Sequence, residues 1–105
     1  MQPSSDRFWS AVSRWESDHV VVKVEFEGIS AAKYEGWTVE GTVSFSGSLV
    51  TFRAKNGEEK SLEFGLADIR FGAINRMEAV DCFRAMWPGG AECTLSELRT
   101  FGKPV

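Results

Sequence analysis

The sequence has few of the residues on which catalysis and metal binding depend. Its 105 residues include one histidine, His19, and two cysteines, Cys82 and Cys93. This set is too small for a closed zinc site, and neither a cysteine-centred signature nor a nucleophile elbow surrounds the thiols. Glycine-rich phosphate-binding motifs are also missing. We therefore predict no catalytic residue, no metal site and no cofactor.

Long apolar runs and an excess of basic residues are missing as well. No apolar stretch approaches the ~20 residues of a membrane span, and no basic segment followed by an apolar one marks a secretory signal. The chain carries 12 Lys+Arg against 15 Asp+Glu, a net charge of −3. Binders of nucleic acid or anionic membranes need a basic surface. We expect a cytoplasmic protein with no nucleic-acid or membrane partner, whose two cysteines stay reduced.

Length and composition are those of one small globular domain. The chain is 43% hydrophobic, and a chain of this size buries roughly two-thirds of the surface that it exposes when unfolded. No internal repeat or low-complexity segment divides it. We expect residues 1–105 to form a single domain, with residues 1–4 and 103–105 as loose termini.

Hydrophobic periodicity predicts a helix followed by strands. From about Ser5 to Ser17, apolar residues recur at helical spacing: Phe8, Val12 and Trp15. From Val20 to Phe26 they alternate with polar or charged residues, which predicts a strand that ends at Gly28. A loop then leads to a second alternating segment, residues 37–45.

Two turns predict the register of the next strands. Gly47-Ser48 suits a two-residue type II′ turn, and Lys55-Asn56-Gly57 suits a three-residue turn. The resulting pairs are Phe45 with Val50, Val43 with Phe52, Gly41 with Ala54, Glu40 with Lys55, Val50 with Leu62, and Arg53 with Glu59. A fifth strand, or a continuation of the previous one past a bulge, follows at residues 69–73. Gly41, Gly65 and Gly72 indicate bulges or close backbone approaches within the sheet.

Helices are predicted for the last third of the chain. An Asn75-x-x-Glu78 start precedes apolar residues at helical intervals, and that helix must end at Trp87 before Pro88. Thr94-x-x-Glu97 has the spacing of a capping box for a short last helix. The expected fold class is α+β: an N-terminal helix, a four- to five-stranded antiparallel meander forming a curled sheet or partly open barrel, and two C-terminal helices on or beside the sheet.

Two constellations could carry chemistry. His19 could be a general base with a cysteine as nucleophile, but we interpret it as a boundary residue between helix and strand. Four carboxylates are predicted on the polar sheet face: Glu25, Glu27, Glu40 and Glu63. Because basic residues alternate with them across the strands, we interpret this face as solvated and self-neutralising.

Aromatic residues make up 12% of the chain. Most of them alternate in phase with valine and leucine and are predicted core residues. Four depart from this pattern: Trp9, Tyr34, Trp37 and Trp87. Aromatic residues at loops and helix ends are enriched in recognition surfaces, so we predict these four as binding residues. The alternative is that each one seals the core beneath a loop.

The segment from Trp37 to Ile69, with VEGTVSFSGSLVTFRAKNGEEKSLEFGLADI, resembles the strand pattern of pleckstrin-homology or GRAM-type domains. It is also similar to Tudor-type SH3 barrels. Each resemblance covers about a third of the chain and rests on alternation and turns. The pleckstrin-type resemblance implies seven strands, more than the periodicity predicts. The Tudor-type resemblance implies an aromatic cage for methylated lysine, with Tyr34, Trp37 and Phe71 as candidates.

These patterns lead to two functional hypotheses. The first is a small non-catalytic protein-interaction or binding module, which holds a protein or peptide partner, or a second copy of itself in a homodimer, through exposed aromatic residues. The alternative is a small enzyme or ligand binder with an apolar pocket between the sheet and the helices, polarised by His19, Cys82 or a glutamate.

Overall fold

A curled antiparallel sheet with one helix against it makes up the part of the chain that the structure describes. This computed structural model describes residues 3–30, 33–71 and 82–98. The elements are α1 (Pro3–Asp18), β1 (Val22–Ser30), β2 (Lys33–Ser46), β3 (Leu49–Ala54), β4 (Glu59–Glu63), β5 (Asp68–Phe71), β6 (Cys82–Met86) and β7 (Glu92–Glu97). The sheet order is β4-β3-β2-β1-β7-β6-β5, and every pairing is antiparallel.

The sheet curls because its two edge strands follow each other in the chain. β4 and β5 stand at opposite ends of the sheet order, yet only residues 64–67 connect them. Seven strands laid flat would be about 29 Å wide, whereas this connection spans at most about 18 Å. The two edges must therefore face each other across a narrow gap.

α1 fills the inner face of the curled sheet. The predicted helix and its apolar stripe are confirmed, since Phe8, Val12 and Trp15 are all fully buried. The Phe8 ring lies 5.0 Å from that of Phe64 and 5.3 Å from that of Phe83, centroid to centroid. Phe64 follows one edge strand and Phe83 lies next to the other edge, so α1 joins the two sides of the sheet from within.

A Schellman motif ends α1. The Val20 amide donates to the carbonyl of Trp15 at 3.0 Å, and the His19 amide donates to that of Glu16 at 3.4 Å. This motif places His19 in the left-handed region, with φ +54°, where glycine is the usual residue. The exposed His19 therefore has a structural position at the boundary between α1 and β1.

The predicted β2–β3–β4 register is confirmed for every pair but one. Phe45 lies opposite Val50, and Arg53 lies opposite Glu59. Gly47 has φ +61°, as the first position of a type II′ turn requires. The pair of Glu40 with Lys55 is not formed, because the ladder ends one rung earlier and the chain turns at Lys55.

The predicted fold class is wrong in its strand count and in its C-terminal helices. The described residues form one helix and seven strands, mostly sheet. Residues 82–86 and 94–97, which the sequence patterns predict as helical, belong to strands β6 (Cys82–Met86) and β7 (Glu92–Glu97). Phe83 and Ala85 point inward in a period of two, and Trp87 continues it, so the i, i+4 spacing of Phe83 and Trp87 fits a strand as well as a helix. Asn75, Glu78 and Gly72 lie outside the described residues.

The Thr94-x-x-Glu97 pattern is not a capping box. Cys93, Leu95 and Glu97 are the buried residues of β7. The Glu97 carboxylate accepts a hydrogen bond from the Trp15 indole N–H at 3.1 Å and forms an ion pair with Arg14 at 2.5 Å. Its partners thus lie on α1, far away in sequence, rather than in the backbone three residues before it.

Candidate functional site

The four predicted binding residues lie in different environments. Trp9 is half-buried on α1, with its ring 4.9 Å from Phe8 and 6.1 Å from Phe45. Trp87 is half-buried too, and its indole N–H donates to the carbonyl of Glu63 at 2.7 Å, across the gap between the two sheet edges. Both tryptophans pack against the core, as the alternative interpretation expects.

Tyr34 and Trp37 share one segment of β2. Trp37 is half-buried and stacks on Phe26 with a centroid distance of 5.2 Å and an interplanar angle of 21°. The ammonium group of Lys60 lies 5.6 Å from the Trp37 ring. Tyr34, in contrast, is 65% exposed. The sequence placed Tyr34 in a loop, but β1 and β2 extend further than predicted and carry it on the sheet.

This segment of β2 has one unpaired side within the described residues. β2 pairs with β1 from Lys33 to Gly41, but β3 pairs only with residues 41–46. Ser46 and Leu49 flank a two-residue turn as a hydrogen-bonded pair, so Ser46 directs its N–H and C=O groups toward β3. Because successive residues of a strand direct these groups to opposite sides, all even-numbered residues of β2 direct them away from β1. We call the side of residues 34–40 that faces away from β1 the free edge of β2.

A groove opens on the outer face of the sheet beside the free edge. We call it the outer groove; its volume is about 470 Å³, and its lining includes Glu25, Glu27, Tyr34, Arg84, Glu92 and Thr94. In register, Gly36 lies opposite Glu27, which in turn lies opposite Glu92 of β7. Four neighbouring strands, β2, β1, β7 and β6, therefore contribute to one surface.

Carboxylates outnumber cations in the outer groove. The Arg84 guanidinium donates to the Glu92 carboxylate at 2.9 Å through Nε and at 2.5 Å through Nη2. The Tyr34 hydroxyl donates to Glu27 at 3.4 Å. Neither Glu27 nor Glu25 forms an ion pair within the described parts of the chain. Among the residues that the structure describes, the groove thus keeps two carboxylates that form no ion pair.

Tyr34 lies along its own strand over Gly36. A Cβ atom at Gly36 would come within 2.5 Å of the tyrosine oxygen. Because glycine has no side chain, the phenol can reach across to Glu27 and cover the middle of the segment. The tyrosine is thus held against Glu27 at the rim of the outer groove while most of its surface stays exposed.

The aromatic cage implied by the Tudor-type resemblance is not formed. Tyr34 lies on the outer face of the sheet, and Trp37 lies on its inner face. Phe71 is on β5, where its ring lies 5.5 Å from Phe83 and 3.8 Å from the guanidinium of Arg7. These three residues do not surround a common space.

Neither cysteine has the environment of a nucleophile. Both are free and buried. Burial raises the pKa of the Cys93 thiol to about 12, with a smaller contribution from the Glu92 charge. Burial also raises the pKa of Cys82, partly offset by its hydrogen bond with Ser96. Reactive cysteines need the opposite shift.

A general acid is not found at Glu63 either. The hydroxyl of Ser48 and the amide of Gly65 both donate to this exposed carboxylate. These hydrogen bonds, the Ser48 one first, lower the pKa of Glu63, whereas a catalytic acid at neutral pH needs a raised one.

Side chains occupy the position at which the alternative hypothesis places a pocket. Phe8, Val12 and Trp15 of α1 fill the inner face of the sheet and have no exposed surface.

Besides the outer groove, an open groove of about 900 Å³ near the end of β7 includes Val21 and Leu98 in its lining. Within the described residues, no group of His, Cys, Asp and Glu side chains could hold a metal ion.

The sequence did not indicate the outer groove. The alternation predicts Glu25 and Glu27 on a self-neutralising face, but it predicts Arg84 in a helix and makes no prediction for Glu92, so the acidic excess is not visible. The period of two in residues 83–87 was the signal that could have placed Arg84 beside β7.

We compared the chain with protein-family models, curated proteins and solved structures, and none of these comparisons finds a match. The seven strands equal the number that the pleckstrin-type resemblance implies, but the comparisons give that resemblance no support. No helix within residues 3–30, 33–71 and 82–98 has the length and apolar character needed to cross a membrane.

Proposed function

We propose that this chain is a non-catalytic protein-interaction module whose contact surface is formed by Tyr34 and the outer groove. The observation that carries the proposal is the 65% exposure of Tyr34 at the rim of this groove. Tyrosine supplies a large contact area at a small cost in conformational entropy, which is why it is enriched at protein interfaces.

The size and polarity of the outer groove favour a segment of a protein as the partner. Its volume of about 470 Å³ is at the lower end of the range for small-molecule sites, but those sites are mostly apolar and enclosed. The groove is open, and its lining includes the charged side chains Glu25, Glu27, Arg84 and Glu92. Such a surface fits side chains that project from a peptide backbone.

The cytoplasm is the location that this proposal assumes. Cys82 and Cys93 are both free thiols, as is usual in a reducing compartment. They could not form a disulfide in this fold, because Cys82 pairs with Ser96 and Cys93 pairs with Ala85, three rungs apart on β6 and β7.

Selection of random peptides displayed on phage, with the purified chain as bait, tests the proposal. We expect selected peptides to bind the wild-type chain at micromolar Kd and to lose affinity by about tenfold or more in Tyr34→Ala. Leu66→Ala is the matched control, since Leu66 is the most exposed large apolar residue described, at 79%, and lies between β4 and β5. Peptides that bind Tyr34→Ala as well as wild type, or no selected peptide at all, would refute the proposal.

A further inference from the structure

We infer that the partner adds a strand to the free edge of β2 and that this strand carries lysine or arginine side chains. The inference rests on the proposed function and states the binding mode and the chemistry of the partner. It follows from the backbone of residues 34–40 and from the charge of the outer groove.

The backbone of the free edge offers hydrogen-bonding groups at regular spacing. Tyr34, Gly36, Thr38 and Glu40 direct N–H and C=O groups away from β1, and no described strand pairs with them there. Residues 34–40 span about 20 Å, which matches a partner strand of about seven residues. Exposed edges of this kind are the sites at which extended peptides join a sheet.

The side chains along the free edge leave room for a second backbone. Gly36 has none, and Thr38 is small. Lys55, where β3 turns back, marks the end of the competing strand. An added strand would therefore continue the sheet where β3 leaves it, at Gly41.

Charge complementarity indicates a basic partner. An added strand would lie about 10 Å from β1, within reach of an extended lysine or arginine side chain that passes over the Tyr34 phenol where it covers Gly36. Such a side chain reaches Glu27 and Glu25, the two groove carboxylates that form no ion pair with any described residue. Tyr34, which is 65% exposed, lies on the same path, and its ring can attract a cation.

The same charges disfavour a second copy of the chain as the added strand. Residues 33–40 contain Glu35 and Glu40 against one lysine. Glu40 shares the outer face with Tyr34, so pairing two free edges would bring the Glu40 of each copy to the acidic outer face of the other, and like charges at neighbouring strand positions are destabilising. A basic segment of another protein is the occupant that the charges favour.

Two lysine-containing peptides test the binding mode with the whole chain. The first peptide has about seven residues in which lysine alternates with valine. The second has the same sequence, but the backbone amides along one edge of the strand are N-methylated. We expect the first to bind and the second to bind about tenfold or more weakly, because N-methyl groups remove the donors that pair with β2. A peptide with glutamate in place of lysine should also bind about tenfold or more weakly.

Variants of Thr38 test whether the backbone of the free edge binds the peptide. Thr38→Pro removes an N–H that does not bond to β1, and proline is tolerated at such edge positions; Thr38→Val keeps the N–H and is the matched control. We expect loss of peptide binding in Thr38→Pro only. Glu27→Gln should weaken the lysine peptide and reduce its salt dependence.

Several results would overturn the inference while leaving the proposed function intact. One is that the N-methylated peptide binds the chain with full affinity. Another is that the lysine peptide binds a folded Thr38→Pro variant with full affinity. In both cases Tyr34→Ala must still weaken the binding of phage-selected peptides. Equal binding of the glutamate peptide would refute the basic partner. A wild-type dimer in sedimentation that Thr38→Pro dissociates would make a second copy the occupant. If Tyr34→Ala also has no effect on the selected peptides, both proposals fail.

Discussion

Gly41→Ala is expected to destabilise the fold more than any other glycine-to-alanine change on the sheet. A Cβ atom at Gly41 would lie 2.9 Å from the nitrogen of Ala54 and closer still to the carbonyl group of Arg53. Both are backbone groups of β3, so no side chain can rotate to make room. The strands β2 and β3 would have to separate at this end of their ladder.

The loss in the free energy of unfolding follows from the contacts that this separation disrupts. Moving the backbone at Arg53 and Ala54 loses one or two hydrogen bonds worth about 1 kcal/mol each. Overpacking of the buried site adds about 1–3 kcal/mol, and alanine returns about 0.4–1 kcal/mol by restricting the unfolded chain. The net loss is about 1–5 kcal/mol, which corresponds to a decrease in Tm of about 5–25 °C for a domain of this size.

Urea unfolding followed by tryptophan fluorescence measures this loss, with Gly65→Ala as control. A Cβ atom at Gly65 would lie 3.1 Å from the carboxylate of Glu63 and 3.2 Å from the hydroxyl of Ser48. Because both neighbours are ends of side chains that can rotate, this variant should lose less than about 1 kcal/mol. A Gly41→Ala variant as stable as Gly65→Ala would refute the close approach of β2 and β3.

Three further predictions concern stability. His19→Gly should raise the free energy of unfolding by about 1 kcal/mol, because it relieves the left-handed conformation at the end of α1; a less stable variant in urea would contradict this. Glu97→Ala, which leaves the buried indole N–H of Trp15 without its acceptor, should lose about 2–4 kcal/mol, and Glu97→Gln should lose less; equal losses would show that this bond is unimportant. Burial raises the pKa of Cys93 from 9.0 to about 12, so its contribution to stability is complete below pH 9 and is lost as the pH rises toward 12. Cys93→Ala should therefore reduce the loss of stability between pH 8 and pH 10.5, and an unchanged loss would contradict the shift.

The sequence was sufficient for the elements in which local signals agree. In α1 the helical stripe of Phe8, Val12 and Trp15 is also the buried face. In the β2–β3–β4 meander, turn chemistry and alternation select the same register, because a slip of one residue would turn every side chain to the opposite face.

The C-terminal strands could not be predicted from local patterns. Phe83 and Trp87 fit both periods, and the Pro88-Gly89-Gly90 stop that follows a helix also fits the turn between β6 and β7. Glu97 has the spacing of a capping residue, but its partners are on α1. Only pairing with β1, far away in sequence, shows that this segment is a strand.

The candidate site depends on those same long-range pairings. The departure of Tyr34 and Trp37 from the core alternation predicts both as binding residues, and the structure places them on opposite faces of one segment of β2. The free edge of that segment arises because β3 is shorter than β2, and the acidic groove arises because β7 and β6 bring Glu92 and Arg84 beside β1. Neither arrangement is visible in a local pattern.

Addition of a strand to β2 should be visible in the backbone amide exchange of residues 33–41, measured with and without the alternating lysine peptide. We expect new protection of the amides that face the free edge, those of Tyr34, Gly36, Thr38 and Glu40. The amides of Glu35, Trp37 and Val39 already bond to β1 and should change little. Protection without this alternation, or no change at residues 34–40 in a peptide-bound chain, would contradict the addition of a strand to β2.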